Sequence, residues 1–590
     1  MADDVLHIAN CSGFYGDRFD AFREQLEGEH PVDVVTGDYL AELTMLILWR
    51  GQQKDPSTGY AKTFRRQFED AIELVAERGV KVVVNAGGLN PSGLADATRE
   101  LVANSNVDLR VAHIEGDDLL HRLEQLQEDG HEFTHLDTGA PLSSNDMPPL
   151  TANAYLGGWG IAAALEQGAD VVIAPRVTDA SLVVGPAAWR FGWERDDWDA
   201  LAGAVVAGHV LECGAQATGG NYSFFQEVDG LEHPGFPIAE VHPDGSSVIT
   251  KHPGTGGEVS VGTVTAQLLY EIGAPEYLNP DVTTDFGTIR LEQVGDDQVA
   301  ITGVRGTPPT DQLKVCINTL GGFRNEMTFL LTGLDVDAKA DLVQRTLEDQ
   351  LPLDELDHAE WQLVRSDHDD ADRNAEAIAQ LRLVVKHSDP NRIGRRGFSG
   401  PVVEIALASY PGFTMTAPPD DADPFGVYWP ALIPKDEVTE VVVGPDGNET
   451  QIAQTPGGNP ARTEPPGAPH QPETTSEDSG GTSSVPLGRV VGARSGDKGG
   501  NANVGVWVRS ADAYPWLRDF LTVDRFRELV PDAAELDVQR YELPNLNALN
   551  FVVVGLLGMG VSASTRIDPQ AKGLGEYLRS RIVELPTDLV

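Results

Sequence analysis

The chain has 590 residues, 91 acidic against 43 basic, with a formal charge of −48 and a pI near 4.5, a field that repels polyanions and excludes nucleic acid as a partner. A hydrophobic content of 41% excludes a disordered acidic chain and supplies cores for two to four domains. With ten lysines in the whole sequence, the composition is that of a halophile's cytoplasmic protein, because at molar salt the Debye length falls to about 3 Å and like charges are screened.

Strand and helix patterns alternate through the first two hundred residues. "VLHIAN" leads through "CSGFYGDR" into "FDAFREQLE", and "VDVVT" leads into "DYLAELTMLILW". "VKVVVNAGG" leads into "SGLADATRELVAN", with Asn90 as cap and Pro91 in the first turn. "LRVAHIEG" and "ADVVIAP" continue the series, with helices expected near Asp117 and Thr178. Short apolar strands between amphipathic helices predict an α/β domain over 1–284, built on a parallel, helix-covered sheet with ligands at the C-terminal strand ends.

At the first strand end, Gly13 and Gly16 allow close backbone approach beside Asp17 and Arg18, but G-x-G-x-x-G is missing and no dinucleotide fingerprint is read. "NAGGLNPSG" and "APRVTDAS" bring Asn85, Asn90, Arg176 and Asp179 to the same edge. Arg176 suits a carboxylate or phosphate held by two hydrogen bonds, and Asp179 suits a base, an orienting partner or a helix cap. "HEFTH" at 131–135 matches the zincin string. Gly130 before it and Gly139 and Pro141 after it leave no room for the helix that zinc requires, and a short strand fits better.

In "LECGAQATGGNYSFF", Cys213 lies among polar residues and glycines beside Glu212 and near Asn221, either as a thiol nucleophile or as a buried, inert cysteine. "TKHPGTGG" adds Lys251 as a cation and His252 as a base. Cys11, Cys213 and Cys316 are too far apart for a disulfide framework or a CxxC pair, so a reducing compartment and no metal site are expected. The start lacks a basic leader, and the longest apolar run, "FVVVGLLGMGV", is far short of a membrane span.

From 285 to 443 the texture changes to a mixed α/β subdomain, opening on a hairpin around Asp296 and Asp297. Residues 444–486 are rich in Pro, Gly, Ser and Thr and read as a disordered linker. Residues 487–590 predict a small α+β domain with strands at 488–494, 502–508 and 550–555, helices around 512–530 and a last helix from about 570. Its "VVGARSGDKGGNANVGVW" fails the P-loop spacing and reads as a mobile Gly-rich turn offering Arg494 and Lys498 to an anion, as a clamp or lid.

"ANCSGFYGDR", "TGDYLAELTMLILW", "NAGGLNP", "ANAYLGGWGIAAAL", "RVTDASLVVGPAAW", "ECGAQATGGNY" and "KHPGTGGEVSVGTVTAQLLYEIG" resemble the acyclic terpene utilisation, AtuA-like, family over roughly residues 1–443. "RVVGARSGDKGGNANVGVWV" and "LPNLNALNFVVVGLLGMG" resemble its small C-terminal ferredoxin-like domain. The resemblance implies breakdown of citronellol- and geraniol-type acids as CoA esters, in a pathway that also uses a biotin carboxylase, a hydratase and a lyase. An enzyme on a branched or isoprenoid-type acyl-CoA or carboxylic acid is therefore expected, working by hydration, lyase cleavage or acyl transfer. Arg176, Lys251 or Lys498 would hold anionic groups and Asp179 or His252 would move a proton, with coenzyme A entering as part of the substrate. The alternative is a non-catalytic acyl-CoA-binding or partner subunit of a carboxylase pathway. A homo-oligomer is expected in either case.

Overall fold

Valine-rich stretches of the first 175 residues form the parallel centre of a sheet that has eleven strands among the described residues. β1 (Leu6–Asn10), β2 (Val34–Gly37) and β3 (Lys81–Val84) pair in parallel, followed by Val171–Ile173 and then β4 (Val111–Glu115). These strands are buried almost throughout, as near-continuous β-branched runs require. The chain is described over residues 5–417, 420–458 and 481–590 of a computed structural model.

The helix-covered parallel sheet is the centre of a mixed one. Pro237–Val241 adds antiparallel to β1, followed by Ser247–Lys251, Gln298–Thr302 and Arg290–Gly295. On the other edge Glu440–Val443 adds antiparallel to β4, followed by Glu449–Ile452. Helices α1 (Ala21–Glu27), α3 (Lys62–Arg78) and α4 (Pro91–Ser105) cover one face, with α2 (Glu42–Lys54) between α1 and α3 in the chain, and there Phe22 meets Phe64 and Phe68 edge-on at 6.5 and 6.4 Å. Each such burial contributes about 1.5–3 kcal/mol. Ser181–Phe191 and Trp198–Leu211 belong to a second apolar cluster built largely from small and branched residues.

Several expectations change. The hairpin around Asp296 and Asp297 forms, with Asp297 at φ 53°, but it joins the first sheet instead of opening a second subdomain. The boundary lies later: one compact unit runs to Asn318 and includes Tyr428–Val561 and Asp568–Val590, and the other comprises Thr319–Val427 and Ser562–Ile567. In the second unit, Thr319 onward of the long strand Gln312–Thr332 pairs antiparallel with Ile378–His387, which pairs with His358–Val364, and the helix Val336–Gln350 contributes to the core. Strands Glu449–Ile452 and Thr482–Pro486 shorten the expected linker at both ends, and 459–480 lies outside the described residues.

The helix expected near Asp117 begins three residues on, as a 3-10 turn at Leu120–Arg122 that runs into the helix Leu123–Glu128. The Asp117 carboxylate is buried and accepts from Asn153 Nδ2 (2.8 Å) and the Arg176 N–H (3.3 Å). The expected strand through "EFTHLDT" is irregular chain with Phe133 at φ 47°. His131 Nε2 lies 3.2 Å from Glu437 Oε1, and His135 Nδ1 accepts the Asp137 N–H, so the two imidazoles have separate partners.

The C-terminal domain belongs to the first unit apart from Ser562–Ile567. Its antiparallel sheet runs in the order Val491–Lys498, Asn501–Val508, Ala548–Val553, Val538–Leu543, with helices Tyr514–Phe520, Val523–Leu529 and Leu574–Ser580 contributing to its core. No helix among the described residues is long and apolar enough to cross a membrane.

Candidate functional site

The second, third and fifth strands of the series release the chain on one edge, and three of the loops that follow meet there. Asn85, just after β3, donates from Nδ2 to Asp38 Oδ1 at 2.6 Å, and its Oδ1 accepts the Tyr39 N–H at 2.8 Å. Arg176, 2% exposed, donates from Nη1 to the Leu40 carbonyl at 3.0 Å and to Asp179 Oδ1 at 2.8 Å, with its guanidinium 4.3 Å from the Tyr155 ring centroid. Asp179 makes no cap bond to the helix that follows, so its structural partner is Arg176. The Tyr155 hydroxyl donates to Glu42 Oε1 at 2.9 Å, and Lys314 Nζ lies 3.5 Å from the same oxygen.

The C-terminal domain supplies the facing groups. Arg494 donates to Gln216 Oε1 and lies 4.4 Å from the Tyr270 ring centroid. Lys498 Nζ donates to the Glu271 carbonyl at 3.0 Å, the Glu271 N–H donates to Asn503 Oδ1 at 2.8 Å, and Lys572 bonds the Tyr270 hydroxyl. Ser223 Oγ binds the backbone of Ala493, and Asn550 Nδ2 donates to the Gly273 carbonyl.

The expected mobile turn is therefore a docked hairpin. A Cβ on Gly496 would come within 2.4 Å of the Tyr270 ring, and one on Gly505 within 2.4 Å of Leu269 Cβ. These glycines permit close packing, and only Gly499 and Gly500 form the turn itself.

Lys498 and Lys572 are exposed, and Glu42, Asp179, Glu271 and Asp497 are half-buried. Their surroundings nonetheless desolvate several of them strongly. Side chains that reach water while protein surrounds them line a cleft, which reconciles the two observations. Burial, and then Asp497, pushes Glu271 up to about 7, and burial, and then Glu42, pushes Asp497 up to about 6. Burial with Asp179 beside them raises Asp38 and Glu212 well above the carboxylate range. At Glu42 burial opposes ionisation, but Lys314 and Arg176 outweigh it and hold the carboxyl at about 2. Burial, then Lys314, lowers the Lys498 ammonium. Glu42 thus acts on Glu271 and Asp497, and Lys314 on Lys498, so both sides of the cleft form one electrostatic cluster.

Of the residues singled out in the sequence, Asn85, Arg176, Asp179, Arg494 and Lys498 belong to this cluster. Cys213 borders it, half-buried, but burial and then Glu212 push its thiol well above the usual range and keep it neutral. A Cβ on Gly13 would come within 2.6 Å of the Cys213 carbonyl carbon, so the first loop packs on this backbone.

The remaining candidates have structural partners. Asp17 accepts the N–H groups of Gly13 and Arg18, and Arg18 binds the Pro234 carbonyl and Glu24. Asn90 caps α4 through the Gly93 N–H and donates to the carbonyls of Ser57 and Thr58. Asn221 is exposed in a left-handed turn. Lys251 pairs with Asp297 Oδ2 at 2.9 Å and donates to the Thr255 carbonyl. His252 accepts the His30 N–H at Nδ1 and bonds the Gln25 carbonyl from Nε2, which removes it as a base for the cleft.

Sequence reasoning missed Asp38, Glu42, Tyr155, Lys314, Glu212, Glu271, Asp497 and Lys572 as site members. Applying the strand-end rule to the second strand finds Asp38 and Glu42. Scarcity marks the lysines, since three of the ten meet here.

An α/β sheet with a charged cleft at its strand ends, faced by a small C-terminal domain, defines the class. The family model for the acyclic terpene utilisation family protein AtuA matches residues 6–443, and that for the AtuA ferredoxin-like domain matches residues 485–584; the chain belongs to the AtuA family. No curated protein and no solved structure matches it. The C-terminal domain has no cysteine, so "ferredoxin-like" describes its fold and not a thiolate-held iron–sulfur cluster.

Proposed function

We propose that this AtuA-family chain is a cytoplasmic catabolic enzyme that moves a proton on a branched or isoprenoid-type acyl-CoA or carboxylic acid, by hydration or lyase cleavage. The observation that carries this reading is the pair Glu271 and Asp497, whose carboxyls are pushed up to about 7 and about 6 beside Lys498 and Lys572. At neutral pH such a coupled pair holds part of its protons, so one carboxyl donates while the other accepts. In a hydration, the ionised carboxyl takes a proton from the attacking water and the protonated one delivers a proton to the α-carbon. Lyase cleavage runs the same exchange in the other direction. Lys498, Lys314 and Arg176 supply positive charge for the substrate's anionic groups.

Acyl transfer through Cys213 is disfavoured because a neutral thiol is a poor nucleophile. Lys251 and His252 take no part, being committed to Asp297 and to backbone groups. The test is turnover of a panel of branched acyl-CoA esters by purified protein in KCl, with Glu271→Gln beside it. Loss of turnover in the variant with retained binding supports the reading. Binding without turnover by the native chain would favour the non-catalytic subunit instead.

A further inference from the structure

At the end of β1 away from the cleft loops, His7 and Glu240 are direct partners across the antiparallel pair of β1 and Pro237–Val241, so their side chains share one face of the sheet. His30, from the segment between α1 and β2, brings Nε2 to 3.1 Å from Glu240 Oε1. One ligand atom from each of the three residues lies within 4.8 Å of the others. We propose that His7, His30 and Glu240 form a binding site for zinc or a similar divalent transition ion.

The ligand set is that of such a site, with two imidazole nitrogens, one carboxylate and no thiolate, which leaves a tetrahedral position for water. Ligands at about 2.0–2.1 Å from a tetrahedral ion stand roughly 3.4 Å apart, close to the 3.1 Å between His30 and Glu240.

A second layer is already in place. Asp33 Oδ2 lies 2.9 Å from His7 Nδ1 and also accepts the His7 N–H at 2.9 Å. This favours the ring proton on Nδ1, the arrangement in which a carboxylate orients a metal-binding histidine. The His30 backbone is tethered by its N–H to His252 Nδ1 at 3.1 Å. The three side chains are 17–21% exposed, so an ion can reach them. An ion there would tie β1, Pro237–Val241 and the His30 segment together, distant from the cleft's chemistry and independent of the function proposed above.

The test uses the full chain, stripped with chelator and titrated with Co2+ and then Zn2+ in KCl. One equivalent per chain, with the visible absorption of tetrahedral Co2+, displacement by Zn2+ and a raised melting temperature, is expected. Asp33→Asn should weaken binding roughly ten- to a hundredfold, His30→Gln with Glu240→Gln should abolish the absorption, and His121→Gln, at an exposed histidine outside the group, should leave it unchanged. Melting of each metal-free variant checks folding, and Glu240→Gln preserves the shape of its side chain. Absence of saturable binding at one equivalent, or binding undiminished in the double variant, would overturn the site and leave two ordinary ion pairs, His30 with Glu240 and His7 with Asp33.

Discussion

Replacing Glu271 by glutamine should make the protein more stable at alkaline pH and leave it unimproved in acid. Burial, and then Asp497, raises this carboxyl from 4.5 to about 7. In that window the folded chain keeps a proton that the unfolded chain has released, so the native stability falls as pH rises and the loss is complete above about 7. At about 1.4 kcal/mol per unit the full shift would correspond to roughly 3 kcal/mol. Sharing the proton with Asp497 and the half-exposure of the side chain reduce the expected gain to about 1–3 kcal/mol. The amide keeps the shape of the side chain, and the backbone bonds from Glu271 to Asn503 and from Lys498 to Glu271 are untouched. The assay is thermal melting of native and variant chains in KCl from pH 4 to pH 8. The difference in melting temperature should be near zero or negative at pH 4 and grow in the variant's favour up to pH 8. A difference that stays constant across this range would refute the raised proton affinity, and with it the acid–base role.

Lys498→Ala should weaken acyl-CoA binding about tenfold or more, the equivalent of about 1.4 kcal/mol, at a melting temperature close to native; unchanged affinity would leave Lys498 with only its structural bond to the Glu271 carbonyl. Cys213 should resist iodoacetamide in the folded chain at pH 8 and react once the chain is unfolded, because burial and Glu212 keep the thiol neutral. Rapid alkylation of folded protein, read by mass spectrometry, would restore it as a nucleophile. Melting temperature should climb from low salt to molar KCl as the −48 charge is screened, and indifference to KCl would sink the halophile reading.

The strand and helix alternation of the first 175 residues was legible because both periods are local: β1, β3 and β4 each fall within a segment read as a strand, β2 overlaps one and runs a residue past it, and Asn90 caps its helix as read. The antiparallel additions on both edges of the sheet were not, because "VVV" at 441–443 carries no mark of which strand it will join. The strand Val538–Leu543 shows no alternation, since Gln, Arg, Tyr and Glu along its middle are all half-buried between buried Val538 and Leu543, and only pairing with Ala548–Val553 reveals it. Arg176 and Asp179 were legible as a strand-end pair. Glu271 and Asp497 were not, because their chemistry arises from a fold that joins residues 226 positions apart. The histidine reading failed for a related reason: His252 sits in a polar, glycine-rich stretch, but both its nitrogens are taken by backbone groups of α1 and of the segment after it.

The surplus of acid and the clustering of cations at the cleft have one physical connection. A chain of charge −48 repels an anionic substrate from most of its surface, so the cations that hold one must be concentrated and shielded from their acidic neighbours. Three of ten lysines, with Arg176 and Arg494, meet at this cleft, and two of those lysines and Arg494 come from the C-terminal domain. The large domain alone would present Asp38, Glu42, Asp179, Glu212 and Glu271 to Arg176 and Lys314, an excess of carboxylates. The second domain adds Lys498, Lys572 and Arg494 against Asp497, which narrows that excess, and burial narrows it further by keeping several of the carboxyls protonated. The small domain is therefore part of the charged cluster, and its glycines Gly496 and Gly505 serve close packing against Tyr270 and Leu269.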